Sequence, residues 1–143
     1  MTYSKSRSGV AQYGQVAVAA EVAYASPHRL VQMLMEGALD RIAVAKGQVT
    51  RRDFEGKSRN ISWAVSILKG LRNSLDREQG GEIAVNLDDL YDYLCRRLME
   101  ANSENAVTVL EEVSGILGEV KAGWDAIPPH LHRGSALRQV SSG

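Results

Sequence analysis

The chain has 143 residues, one domain's length, and carries 17 Lys and Arg against 17 Asp and Glu. A formal charge of zero argues against a nucleic-acid binder, which carries a basic excess or stripe. Hydrophobic residues at 44% and charged residues at 24% exclude disorder throughout, and aromatics at 6% leave the core to Leu, Ile, Val, Ala and Met.

Residues 1–9 are polar and read as a mobile start without the apolar stretch of a secretory signal. Residues 10–25, with Tyr13, Val16 and Val18 among alanines, predict a short helix or a docked arm. Ser26-Pro27 then reads as a helix start, because Ser caps and Pro is tolerated at the first helical position. Residues 28 to 127 contain no proline, which favours long helices. Val31, Leu34, Ala38, Ile42, Ala45 and Val49 repeat at spacings of 3, 4, 4, 3 and 4, a helical stripe. Thr50 or Asp53 offers the next cap. The second helix carries Phe54, Ile61, Val65, Leu68, Leu71 and Leu75 and ends before a polar turn, Asp76 to Gly81. The third carries Ile83, Leu87, Leu90, Leu94, Leu98 and Ala101, with Asn102 to Asn105 as the connection. The fourth carries Ala106, Leu110, Val113, Leu117, Val120, Trp124 and Ile127, the seam repeat of a bundle, until Pro128-Pro129 stops it. Four helices of about 20 residues, each about 30 Å long, with short connections predict an all-α, antiparallel up-down-up-down four-helix bundle. The domain layout expected is an N-terminal arm and cap over 1–25, the bundle over 26–128, and a flexible tail over 129–143.

Signals for catalysis are weak. A di-iron bundle needs Glu-x-x-His pairs, and no Glu here has His three residues on. His130-x-His132 could pick up a metal but reads better as solvated tail, and His28 reads as an exposed first-turn residue. Cys95 beside Leu94 reads as a small buried hydrophobe; a lone cysteine also excludes an internal disulfide framework and fits a reducing compartment. Asp88 and Asp92 share a helix face, where a solvated face is a simpler account than a cation site. Tyr91 and Tyr93 point about 200° apart on a helix, so one is expected inside and one outside. No phosphate-loop, dinucleotide or nucleophile-elbow motif occurs, and no apolar run approaches the ~18–20 residues of a membrane span. The expectation is a cytoplasmic protein with no enzyme activity, no metal, no cofactor and no membrane insertion.

The helices hold more apolar residues than four seams need. Leu30, Met33, Met35 and Leu39 flank the first stripe, Trp63 and Ile67 the second, and Tyr91 and Tyr93 the third. They fit either a wide core stripe partly covered by the arm or a groove for a partner helix. Gly37 and Gly70 inside helices fit close helix approach or a shallow binding surface, since glycine costs about 1 kcal/mol there.

Two stretches carry a more specific signal. The run from Gly80 to Asn102, Gly-Gly-Glu-Ile-Ala-Val-Asn-Leu-Asp-Asp-Leu-Tyr-Asp-Tyr-Leu-Cys-Arg-Arg-Leu-Met-Glu-Ala-Asn, resembles the signature of the FliS flagellar secretion chaperones. So does Ala25 to Leu39, with its Ser-Pro start. Order and spacing match over about residues 13–127. Two departures stand out: Met35-Glu36 where the family often has Tyr-Asp, and Tyr13-Gly14-Gln15 for a Tyr-Gln-Gln-like element.

The resemblance implies a helical bundle with a short N-terminal helix or cap. It implies a cytoplasmic chaperone that binds the C-terminal segment of flagellin, blocks premature polymerisation and holds it ready for the flagellar type III export apparatus. A helical adaptor or regulator for another flagellar export protein is the alternative. On this reading the expected partner-binding residues are Leu30, Met33, Leu34, Gly37, Ile61, Val65, Leu68, Asn86, Leu90 and Tyr91. Tyr13 and Val16 are expected in a displaceable N-terminal cap. Exposed grooves and an arm also make a homodimer an expectation for the free protein. The zero net charge divides into +6 over residues 1–72 and −6 over 73–143, which predicts complementary faces on neighbouring helices.

Overall fold

The structure is a computed structural model that describes residues 25–134. Tyr13, Val16 and the expected N-terminal helix or cap lie outside the described residues. Four long helices follow one another: α1 (Pro27–Thr50), α2 (Phe54–Asn73), α3 (Arg77–Glu104) and α4 (Val107–Asp125). A 3-10 turn, Pro129–Gly134, follows and occupies the first part of the expected tail.

Each helix begins where its sequence supplies a cap or a break. The Ser26 hydroxyl accepts from the Arg29 amide at 3.1 Å with Pro27 at the first helical position. Asp53 accepts from the Gly56 amide at 3.0 Å, and a side chain at Gly56 would run into the Asp53 carboxylate and the Gln48 amide. α3 departs from the sequence expectation. The supposed polar turn is already helical from Arg77, capped by Asp76, which accepts from the amides of Glu78 and Gln79 at 3.1 and 2.9 Å. Gly81 then breaks the helix with φ 53° and ψ −131°, a conformation glycine tolerates best. At the other end α3 runs through the expected connection to Glu104 and stops at Asn105, whose φ of 51° makes a left-handed cap.

The side-chain pairs fix the topology. Gln32 near the start of α1 bonds Asp125 at the end of α4, whereas Lys46 near the end of α1 pairs with Glu111 near the start of α4. Lys57 and Arg72, early and late in α2, reach Asn102 and Asp88, late and early in α3. Arg41 bonds Asn60 between α1 and α2, and Arg97 bonds Glu112 between α3 and α4. Neighbours therefore run antiparallel, and α1–α2–α3–α4 close a ring in which α4 packs back on α1. This is the bundle that the spacing predicts.

The core holds Val31, Met35, Ala38, Ile42 and Ala45 from α1 and Ile61, Ala64, Val65, Leu68 and Leu71 from α2. Ala84, Tyr91, Leu94, Cys95, Leu98 and Ala101 come from α3, and Leu110, Val113 and Leu117 from α4. Burying each large aliphatic side chain stabilises the fold by roughly 1.5–3 kcal/mol before chain entropy is subtracted. Met35, placed beside the first stripe from sequence, is a core residue at 1% exposure. The α3 seam corrects the predicted one. It runs Ala84, Leu87, Tyr91, Leu94, Leu98 and Ala101, and Ile83 points outwards at 65% exposure.

Candidate partner-binding surface

Large apolar side chains that the core does not take are spread over two parts of the bundle. Leu30 early in α1, Ile83 and Val85 early in α3 and Leu131 in the 3-10 turn all belong to the end where α1 and α3 begin and α2 and α4 finish. Val44, Trp63 and Met99 lie outside that group. Trp63 is partly claimed already: the Arg41 guanidinium sits 4.1 Å from its ring centroid, a cation–π contact.

The ten predicted partner-binding residues separate by burial. Leu30 is exposed, and Met33, Leu34 and Gly37 on the same helix are half-buried. Asn86 is exposed and Leu90 half-buried on α3. Ile61, Val65, Leu68 and Tyr91 sit in the core beneath. The α1 and α3 sets stand on helices that are not neighbours in the ring, so they form two strips and not a single cleft. Gly37 and Gly70 do not owe their presence to tight helix approach: a Cβ at Gly37 would meet Ile67 Cδ1 at 3.6 Å, and one at Gly70 would meet nothing within 4 Å.

Ile83 and Val85 are the surface residues that sequence reading missed. Continuing the α3 stripe back to Ile83 assumes unbroken helix, and the Gly81 break changes the phase. The signal was the double glycine at 80–81 together with Ala84, which also keeps 3-and-4 spacing with Leu87.

Charged groups frame the strips with fixed partners. Arg72 donates to Asp88 at 2.7 Å and to Asp92 at 3.2 Å, and Arg77 also bonds Asp88. The hydrogen bond from Arg72 is the main cause that holds Asp88 below the usual carboxylate range. The supposed solvated acidic face is thus an ion-paired seam between α2 and α3. Lys46–Glu111 at 3.8 Å likewise joins the basic half of the chain to the acidic half, while Lys121–Glu36 at 3.6 Å runs the opposite way. Tyr93 donates to Glu112 at 2.7 Å, and that bond, with Arg97, keeps Glu112 low. Tyr91 is buried, which pushes its phenol up to about 12, whereas Tyr93 is half-buried against the core, so the expected inside–outside split is only partial.

Other candidate groups are similarly occupied. Cys95 is buried with its sulfur 3.9 Å from the Val65 carbonyl, and burial pushes its thiol up, which makes it a poor nucleophile. His28 corrects the sequence reading. It is 5% exposed, packed between Trp124 and His132. His132, expected in solvated tail, is folded back with it. Among the described residues no group of three or more His, Cys, Asp or Glu is arranged to hold a metal ion, and no helix is long and apolar enough to cross a membrane.

Fold and surface together define an antiparallel four-helix bundle with exposed apolar side chains on α1, α2, α3 and the 3-10 turn. The profile of the family described as flagellar protein FliS matches residues 9–131. Flagellar secretion chaperone FliSB of Pseudomonas aeruginosa is 51% identical over 81% of this chain and 92% of its own length. The flagellar secretion chaperones FliS of Salmonella typhimurium and Vibrio cholerae are 42% and 38% identical, over 85% and 88% of this chain and 91% and 93% of theirs. The chain belongs to the FliS family of flagellar secretion chaperones.

Proposed function

We propose that this protein is a cytoplasmic, non-enzymatic export chaperone. It binds the C-terminal segment of flagellin, keeps it from polymerising early and assists its delivery to the flagellar type III export apparatus. The observation that supports the reading is the set of exposed apolar side chains at the end where α1 and α3 begin, Leu30, Ile83 and Val85, on a bundle of a family of secretion chaperones.

The physical logic runs from the client. A segment that assembles through apolar helical faces must have those faces covered before export and freed at export. A long segment that folds as it binds suits this, because its ordering entropy offsets part of the contact energy and keeps release accessible. Leu30, Met33, Leu34 and Gly37 would receive one part of the segment, and Leu90, with Ile83 and Val85, another. Asn86 is free to bond a client backbone group. Ile61, Val65, Leu68 and Tyr91 act from beneath, as the floor that fixes the strips. The N-terminal cap with Tyr13 and Val16 would shield part of this surface when the client is absent, and the same apolar side chains offer a route to a homodimer.

Calorimetric titration with a flagellin C-terminal peptide tests this. The expected result is saturable binding near one to one with a strongly negative heat-capacity change. A folded protein that shows no binding at tens of micromolar peptide, a generous limit for a functional client, would sink the proposal.

A further inference from the structure

His28 and His132, far apart in the chain, are stacked face to face. Their ring centroids are 3.6 Å apart with 2° between the planes. On its other side His28 stacks on Trp124 at 4.7 Å and 11°. Trp124 Nε1 donates to the His28 carbonyl at 2.9 Å, which fixes the indole to the start of α1. His132 Nε2 lies 3.0 Å from the Ile127 carbonyl, and because a carbonyl only accepts, that nitrogen carries a hydrogen. Among the described residues, His28 Nδ1 is buried without a partner. The stack therefore ties the 3-10 turn to the first turn of α1 through two titratable rings.

The charged groups around His28 come from three elements. From α4, Asp125 faces it, but Asp125 is already held by Lys121 at 2.6 Å and Gln32 at 2.7 Å. From the 3-10 turn comes His132 itself. On α1, Arg29 follows in sequence and bonds Gln32 and Glu36 at 3.4 and 3.3 Å. Burial, the largest influence, and His132 both oppose charge on His28, while Asp125 favours it, and the balance is a lowered pKa.

We propose that the His28–His132 stack is a proton-operated latch that holds residues 129–132 on the bundle at neutral pH and releases them on acidification while the four helices stay folded. A proton on His28 Nδ1 would place an N–H where no acceptor stands among the described residues, and two charged rings stacked this closely repel. Once the turn is released, His28 meets water and the burial that opposed its charge is gone. The docked state binds fewer protons than the released one. Docking is therefore complete above about 6.5 and is lost as pH falls below it.

Nuclear magnetic resonance on the full chain tests the latch. The contact between the two imidazole rings should be present at about pH 7.5 and lost by about pH 5, with the helical circular dichroism unchanged. Protection of the Leu131 amide, which bonds the Pro128 carbonyl at 2.9 Å, should fall in the same interval. His132→Phe keeps a ring on His28 and removes the like charge that two protonated rings would bring together, so its turn should stay docked to a lower pH than in the native chain. The proposal is overturned if the ring contact survives to pH 5, if His132→Phe releases its turn at the same pH as the native chain, or if the helices melt over the same interval.

Discussion

The two ends of the bundle are built from the same helices but finished differently. Where α1 and α3 end and α2 and α4 begin, polar side chains bridge the helices, although Val44 and Met99 stay exposed towards that end. Lys57, only 4% exposed, donates to the Asn102 carbonyl at 2.7 Å and to the Asn105 side chain at 2.6 Å, so its ammonium satisfies the terminus of α3 without a carboxylate. Ser58 bonds Asn102, and Asn60 bonds Gln48, within the same cluster. At the opposite end Leu30, Ile83, Val85 and Leu131 are exposed, α3 is broken at Gly81, and a buried histidine nitrogen has no partner among the described residues. The polar bridges of the first end tie helix termini together, whereas the second end presents Leu30, Ile83, Val85 and Leu131 beside a break in α3.

Substitutions can break this contrast. The largest effect is expected in the floor shared by both ends. Leu68→Ala empties a fully buried site and should cost about 2–5 kcal/mol in urea unfolding. A loss of peptide affinity without that destabilisation would move Leu68 from floor to contact surface. Lys57→Met at the bridged end leaves the Asn102 carbonyl without its donor and should cost about 1–3 kcal/mol. Gly81→Ala forces a side chain into a left-handed backbone and should cost about 1–3 kcal/mol, read as a lower unfolding midpoint. The smallest change in stability belongs to the opposite end: Ile83→Ser should shift it by no more than about 0.5 kcal/mol.

The ion-paired seam adds a pH dependence. Asp88, Glu112 and Asp125 are held below their ordinary values, chiefly by hydrogen bonds from Arg72, Tyr93 and Lys121 respectively. At mildly acid pH the unfolded chain binds more protons than the folded one, so these groups add stability above their unfolded pKa values that is lost as pH falls through the folded ones. Asp88→Asn should flatten the fall in unfolding midpoint below about pH 4. An unchanged profile would remove Asp88 from this account.

Much of the fold could be read from spacing. The middles of the α1, α2 and α4 stripes survive because unbroken helix carries its phase along the sequence, whereas Ala106 and Ile127, placed in the fourth stripe, fall outside α4. The misreadings arise where a local backbone event or a distant residue decides. Gly81 resets α3, so Ile83 changes sides and Ala84 takes the seam position. Met35 is in the core because the buried stripe of α1 is wider than a two-residue seam. His28 is buried by Trp124 and His132, which are about a hundred residues away and invisible to any periodicity. For the candidate surface, sequence could not separate exposed residues from those buried beneath them. Leu30 and Val31 are adjacent apolar residues, and only packing shows that the first faces out and the second in.

The most direct test of the central claim is calorimetric titration of a flagellin C-terminal peptide into the native chain and into a Leu30→Ser, Ile83→Ser, Val85→Ser variant. The account predicts binding with a negative heat-capacity change for the native chain. It predicts at least tenfold weaker binding, about 1.4 kcal/mol, for the variant at near-native stability. Equal affinity in both, or no binding by the native chain, would contradict it.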